Sequence, residues 1–137
     1  MLTYGDGVAD VDIAALLAHH RKGRRLATIT AVRPSSRFGE LGLEGDRVRS
    51  FQEKPQTGEG WINGGFMVFE AAALDVISND ANEPLETGVL EPLSKRGQLS
   101  VYRHDGFWQC MDTPREKQLL EAMWASKSAP WALWRRR

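Results

Sequence analysis

The chain has 137 residues, 42% of them apolar, which is enough for the core of one globular domain. Its 18 basic and 18 acidic side chains balance, so no overall charge would draw it to nucleic acid or to an anionic membrane surface. The single cysteine, Cys110, excludes an internal disulfide and a cysteine-based zinc cluster, and no apolar run reaches the ~18 residues of a membrane span. We therefore expect a soluble, cytoplasmic protein with neither a membrane nor a nucleic acid as partner.

The predicted strands and helices alternate along the chain. Apolar, β-branched runs bounded by glycine, proline or polar residues predict strands, whereas apolar residues at intervals of three and four predict helices. Capping residues set the helix ends: Asp10 or Asp12 before the first helix, Gly97 after a middle one and Thr113 before the last. The predicted strands are residues 1–3, 26–32, 64–69, 98–104 and 107–109, with a hairpin over 41–51, and the predicted helices are residues 13–25, 71–77, 85–96 and 114–126.

This alternation predicts an α/β fold, a three-layer sandwich in which helices cover both faces of a mixed, mostly parallel sheet. The hairpin over residues 41–51 is the feature that makes the sheet mixed. No repeat, linker or low-complexity tract divides the chain, so we interpret residues 1–137 as part of a single domain.

Asp6 lies at the predicted carboxyl end of a strand, the position where open α/β sheets place their ligands. The flanking Gly5 and Gly7 would let a bulky polyanion approach the backbone, and a carboxylate at that position suits Mg²⁺. The alternative is that Asp6 only bonds its own turn, which is common for aspartate among glycines.

Asp112 lies just before the last predicted helix, whose N-terminal dipole favours negative charge. Helix capping is its ordinary structural explanation. Mg²⁺ in phosphoryl chemistry commonly takes one or two carboxylates together with phosphate oxygens and water, so Asp6 and Asp112 would suffice as a pair.

Two further polar segments could carry chemistry. Pro55 holds Lys54 extended, so that Lys54 could meet a phosphate while Glu53 accepts hydrogen bonds from sugar hydroxyls. A solvated strand end would explain the same tripeptide. The amide of Asn63 could bond a hydroxyl beside the flexible backbone of Gly64, or it could serve only a turn.

The remaining polar residues indicate structural roles and not catalytic or metal-binding ones. We expect His19 and His20 on the polar side of the first helix and Cys110 to be buried and inert. His104 and Asp105 predict a turn, not a metal cluster.

Six motifs follow one another along the chain: YGDGVADVDI, TAVRP with RFGEL, SFQEKPQTGEGWINGGFMVFE, LEPLSKRGQL, HDGFWQCMDT and APW. Their order and spacing resemble the glucose-1-phosphate cytidylyltransferase branch of the sugar nucleotidyltransferases. Each motif alone is weak, but together they span nearly all 137 residues and are highly specific.

The resemblance implies a Rossmann-like, nucleotide-diphospho-sugar transferase fold and a reaction in which CTP and glucose 1-phosphate give CDP-glucose and pyrophosphate. It implies that Asp6 and Asp112 hold Mg²⁺ and that Lys54 binds the sugar phosphate. It also implies a role in the deoxysugars of cell-surface polysaccharide such as O-antigen. The implied substrate contacts are Glu53 and Asn63 on glucose, with Tyr4, Gly5, Gly64 and Trp108 lining the pocket.

One departure from the family pattern concerns the nucleotide. Family members begin with a strand and a glycine-rich loop that cradles the triphosphate, and nothing from Met1 onward resembles that loop. We therefore expect the C-terminal part of a nucleotidyltransferase domain, with impaired catalysis and a sheet edge that favours homo-oligomers. The alternative is a non-catalytic remnant that binds a sugar phosphate or a partner.

Overall fold

The computed structural model describes residues 1–34, 40–44, 46–52, 60–76 and 82–135. Within these residues no helix has the length and apolar character needed to cross a bilayer. The strands are β1 (Leu2–Thr3), β2 (Gly7–Ala9), β3 (Ala27–Val32), β4 (Glu40–Glu44), β5 (Arg47–Gln52), β6 (Ile62–Phe69), β7 (Leu99–His104) and β8 (Trp108–Cys110). The α-helices are α1 (Ile13–Gly23), α2 (Glu91–Lys95) and α3 (Pro114–Ala125), with 3₁₀ turns at Ala71–Val76 and Leu133–Arg135 and a π turn at Glu86–Leu90.

The central sheet has four strands in the order β1-β6-β3-β7. Strand β6 is antiparallel to both β1 and β3, whereas β3 and β7 run parallel from the Ala27–Leu99 pair to the Val32–His104 pair. The mixed α/β fold is therefore confirmed, but antiparallel pairs outnumber the parallel one among the described strands. In chain order β6 follows the hairpin of β4 and β5 and pairs antiparallel with β3, whereas the helical segments precede β7, which pairs parallel with β3.

Helical segments cover both faces of this sheet, as the three-layer prediction requires. Successive residues of a strand point to opposite faces, so Ala27 and Thr28 divide β3 between two packing layers. The layer on the Ala27 side contains the buried residues Ala27, Ala73, Val89 and Leu93. The layer on the α1 side contains Val11, Leu16 and Val68, with Phe66 and Tyr102 packed against them.

The helix ends follow the predicted caps. The Asp12 carboxylate accepts the Ala15 N–H at 2.9 Å, which selects Asp12 over Asp10 as the first N-cap. Thr113 and Glu116 form a reciprocal capping box at the start of α3, and Gly97 follows α2 with a φ of +65°.

The helix predicted over residues 71–77 is present as a 3₁₀ helix and not as an α-helix, and residue 77 lies outside the described residues. The segment Ala71–Val76 forms a 3₁₀ turn, in which the Ala73 N–H donates to the Glu70 carbonyl at 2.9 Å.

The prediction that His20 lies on the polar side of α1 is wrong. His20 is only 2% exposed, and its Nδ1 lies 2.8 Å from Thr28 Oγ1 while its Nε2 lies 3.1 Å from Glu70 Oε1. Because a carboxylate only accepts, Nε2 donates to Glu70 and Nδ1 accepts from the Thr28 hydroxyl. Both ring nitrogens are satisfied, so the burial leaves no unpaired polar group.

Candidate functional site

A two-stranded ribbon is formed by β2 and β8, next to which the predicted metal ligands Asp6 and Asp112 lie in the chain. Gly7 pairs with Cys110 and Ala9 with Trp108 in antiparallel register. Asp6 immediately precedes β2, and Asp112 follows β8 by two residues, so the two aspartates leave the ribbon at the same end. Both side chains are exposed at that end, where carboxylate oxygens could meet a hydrated cation.

The opposite end of the ribbon is fixed by Asp10. Its carboxylate Oδ1 accepts the Phe107 N–H at 2.7 Å and lies 3.1 Å from His104 Nε2. A Cβ on Gly106 would lie 2.5 Å from this oxygen, so the turn between β7 and β8 depends on glycine there. His104 is the last residue of β7 and the chain bends at Gly106, one residue beyond the turn predicted at His104 and Asp105, and Asp10 fixes this bend.

Trp108 ties the ribbon to the central sheet. Its indole N–H donates to the Gly64 carbonyl at 2.9 Å, across to strand β6. Gly64 also packs closely against β3, because a Cβ there would lie 2.6 Å from Val32 Cγ1. The predicted pocket residues Gly64 and Trp108 are therefore in direct contact.

Tyr4 and Asn63 contact each other next to the hydrogen bond between Trp108 and Gly64. The Asn63 amide Nδ2 donates to the Tyr4 hydroxyl at 3.2 Å, and its Oδ1 accepts the Gly65 N–H at 3.0 Å. Gly65 has a φ of +80°, and a Cβ on it would lie 2.6 Å from Tyr4 Cδ2. The structure thus gathers Asn63, predicted to contact the sugar, with Tyr4 and Gly64, predicted to line the pocket, around one close backbone approach.

Glu86 is a member of this cluster that the sequence did not reveal. Its carboxylate accepts a hydrogen bond from the Tyr4 hydroxyl. Burial of the phenol, followed by its hydrogen bond and charge contact with Glu86, raises the pKa of Tyr4 from 10.0 to about 12. The hydrogen bond from Tyr4 lowers the pKa of Glu86, so the pair holds a neutral phenol against a carboxylate.

Cys110, Asp112 and Glu116 form a second group of possible ligands, with donor atoms within 4.8 Å of one another. Glu116 is already engaged, because its carboxylate accepts the N–H groups of Asp112 and Thr113 at 2.9 Å each. Burial, and then a hydrogen bond with Asp112, raises the pKa of the half-buried Cys110 thiol. A protonated thiol is a poor partner for a hard cation, so the carboxylate of Asp112 is the donor that suits Mg²⁺.

Two predicted contacts, Glu53 and Lys54, lie outside the described residues, and their assigned roles stay predictions. Gly5 is described, and a Cβ placed on it would find no atom within 4 Å. The space beside Asp6 is therefore open, which is compatible with the predicted approach of a ligand.

The chain is similar to sugar-1-phosphate nucleotidyltransferases that differ in their nucleotide and in their sugar. The family model described as nucleotidyl transferase matches residues 1–128. The chain is 46% identical to a glucose-1-phosphate cytidylyltransferase of Salmonella typhi over 98% of its own length and 52% of the relative's. It is 33% identical to a mannose-1-phosphate guanylyltransferase of Mycobacterium tuberculosis, over 85% of this chain and 34% of that protein.

Among solved structures, the chain is similar to one assigned as a glucose-1-phosphate thymidylyltransferase from Bacillus anthracis. The TM-score is 0.58 at 19% identity, over 87% of this chain and 51% of that one, which supports the fold. The chain spans about half the length of the curated cytidylyltransferase relatives it matches.

Proposed function

This chain belongs to the nucleotidyl transferase family, and from that premise we propose that it carries the sugar-phosphate half of a cytidylyltransferase. The proposed reaction joins CTP and glucose 1-phosphate into CDP-glucose and releases pyrophosphate. The observation that carries the proposal is the ribbon register, which brings Asp6 and Asp112 to one end, beside the cluster of Tyr4, Asn63 and Trp108.

The sugar contacts in this proposal depend on a fixed amide. Asn63 has its Oδ1 committed to the Gly65 N–H and one amide hydrogen committed to Tyr4, so its orientation is set before a sugar arrives. Tyr4 is held in turn by Glu86, and Trp108 by Gly64. A preorganised rim of this kind binds hydroxyl groups without first losing side-chain freedom.

In the proposed reaction a phosphate oxygen of glucose 1-phosphate attacks the α-phosphorus of CTP. A new phosphorus–oxygen bond forms while the bond to the β-phosphate oxygen breaks, and pyrophosphate leaves. Asp6 and Asp112 would hold Mg²⁺, which neutralises the phosphate charge when bound, and Lys54 would hold the sugar phosphate. The contribution of these residues is positioning and charge neutralisation, with no covalent enzyme intermediate.

A turnover assay tests this proposal. The purified chain is supplied with CTP, glucose 1-phosphate and Mg²⁺, and CDP-glucose and pyrophosphate are expected in equal amounts. Asp6→Asn and Asp112→Asn should each lower the rate on the order of 100-fold, as loss of a charge-stabilising group does. Asp105→Asn, in an exposed turn, is the matched control and should retain the rate. Replacing CTP by UTP or dTTP tests the choice of nucleotide.

A second candidate is binding of glucose 1-phosphate without turnover. It is favoured by the coverage of the relatives, since 52% of the Salmonella typhi protein corresponds to this chain. Calorimetric titration with glucose 1-phosphate separates the two candidates: binding without CDP-glucose formation supports the second. Absence of both binding and turnover would contradict both candidates.

We further propose that the protein is cytoplasmic and that it self-associates. The exposed side chains at the outer edge of β1 support self-association, because Met1 is 64% and Leu2 38% exposed. They border an apolar cavity of about 290 Å³ that is also lined by Leu74. Light scattering on the purified chain should give a mass above the 15.4 kDa of one chain.

A further inference from the structure

Two arginines approach one tryptophan at the end of the central sheet. The guanidinium carbon of Arg33 lies 4.5 Å from the centroid of the Trp61 ring, and that of Arg103 lies 5.8 Å from it. Both distances are within the range of a cation–π contact. The two positive charges are therefore concentrated around a single indole.

The strand register explains this cluster. Ala31 pairs with Asn63 on one side and with Arg103 on the other, so these three residues share a face of the sheet. Arg33 lies two residues beyond Ala31, and Trp61 lies two residues before Asn63. Because side chains two residues apart along a strand lie on the same face, Arg33 and Trp61 belong to that face as well. The cluster of Arg33, Trp61 and Arg103 thus lies at the same end of the sheet as Asn63.

The arginines keep unused hydrogen-bonding capacity. A cation–π contact engages the face of the guanidinium and uses none of its five N–H donors. The Nε of Arg33 is buried without a hydrogen-bond partner. In the part of the chain that the structure describes, no ion pair involves Arg33 or Arg103. Two like charges and an orphaned buried donor are unfavourable until an anion meets them.

We propose that Arg33, Trp61 and Arg103 form a binding site for a phosphoryl-bearing small molecule, separate from the aspartate pair. A phosphate monoester carries a charge of about −1.5 to −2 at neutral pH and offers three acceptor oxygens, which matches two guanidinium forks. A single carboxylate would neutralise only one of them. The site is accessible, since Arg103 is exposed and Trp61 is 36% exposed. This inference does not depend on the proposed reaction.

Inorganic pyrophosphate is the probe for this site, with binding measured by isothermal titration calorimetry. The titrations contain EDTA and use a Lys54→Ala background, so that the proposed catalytic phosphate contacts do not contribute. Arg103→Ala is the main variant because its exposed side chain can be removed without disturbing the core. Arg33→Gln is the second variant, and Arg96→Ala, an exposed arginine after α2, is the matched control.

Saturable binding should weaken at least about tenfold in Arg103→Ala and in Arg33→Gln, the effect expected for losing a charge-assisted hydrogen bond. Arg96→Ala should bind within about twofold of the background protein, as a surface change away from the site would. Acetate, a monoanion, should compete poorly with pyrophosphate. The proposal is overturned if the background protein shows no saturable binding, or if Arg103→Ala binds pyrophosphate as tightly as that protein does.

Discussion

The indole N–H of Trp108 donates to the backbone carbonyl of Gly64 at 2.9 Å, which joins ribbon β2–β8 to strand β6. The ribbon ends in Asp6 and Asp112, and β6 carries Asn63 close to its start. This one hydrogen bond therefore connects the proposed cation ligands with the proposed sugar contact. The relation explains why a tryptophan, with its single N–H donor, is suited to this position.

Replacing Trp108 by Phe should keep most of the apolar contact but remove this donor. We expect the free energy of unfolding to fall by about 1–2 kcal/mol, since the Gly64 carbonyl would lose its partner. Chemical denaturation measures the change. Trp134→Phe is the control, because Trp134 is 64% exposed, and it should change stability by less than about 0.5 kcal/mol. Equal effects of the two substitutions would show that the Trp108 hydrogen bond does not hold the ribbon.

The Tyr4–Glu86 pair predicts an alkaline titration. Burial and the Glu86 contact raise the pKa of Tyr4 from 10.0 to about 12, so the folded state favours the protonated phenol. The stabilisation is therefore complete below pH 10 and is lost as the pH rises toward 12. Glu86→Gln removes the carboxylate charge and should move the Tyr4 pKa back toward its ordinary value, although the contribution of burial stays.

Phenolate absorbance at high pH checks this prediction. The Tyr4→Phe variant is the reference, and subtracting its titration curve from that of the unmodified chain isolates Tyr4, since Tyr102 is the only other tyrosine. A Tyr4 midpoint that is the same with and without the Glu86 carboxylate would contradict the pairing.

Gly65 and Gly97 provide a matched pair for testing the close approach of Tyr4. Both have positive φ, +80° at Gly65 and +65° at Gly97, but only a Cβ on Gly65 would collide, at 2.6 Å from Tyr4 Cδ2. Gly97→Ala should cost about 1–2 kcal/mol of backbone strain. Gly65→Ala should cost a further 1–3 kcal/mol, on the order of an overpacking penalty, and should displace Tyr4. Urea denaturation measures the difference, and equal losses would mean that Tyr4 does not pack there.

His20 is expected to stabilise the packing of α1 on the sheet. His20→Ala should lower the free energy of unfolding by about 2–4 kcal/mol, because it opens a cavity and leaves the buried Thr28 hydroxyl without its hydrogen-bond partner. The neighbouring His19, which is exposed and whose ring centroid lies 5.5 Å from that of Tyr102, gives the control. His19→Ala should cost less than about 1 kcal/mol. A thermal denaturation series that ranks His19 above His20 would contradict the buried network.

Much of the fold prediction came from interactions between residues that are close together in the chain. The caps Asp12 and Thr113 and the αL residue Gly97 act within one helical turn of their own element, so the sequence placed them correctly. Gly64 and Trp108 were predicted as pocket residues through motifs whose order resembles a known family, but the hydrogen bond between them was not predicted. The sequence predicted a helical segment at Ala71–Val76 but not its 3₁₀ form.

Contacts between residues that are distant in the chain could not be predicted from the sequence. Glu86 reaches Tyr4 across the fold, and Asp10 reaches Phe107 from the start of the chain, so neither pairing leaves a pattern between neighbouring residues. His20 was misassigned because helical spacing cannot show that Thr28 and Glu70 satisfy its ring nitrogens. The arginines around Trp61 become neighbours only through the register of β3 with β6 and β7.

The most direct test of the central claim is cation binding by the two aspartates at the ribbon end. Mn²⁺, a spectroscopic substitute for Mg²⁺, can be titrated into the chain with glucose 1-phosphate present and followed by electron paramagnetic resonance. We predict one tight Mn²⁺ per chain, weakened at least about tenfold in Asp6→Asn and in Asp112→Asn, and unchanged in Asp105→Asn. Undiminished Mn²⁺ affinity in either aspartate variant, or no tight Mn²⁺ at all, would contradict the account.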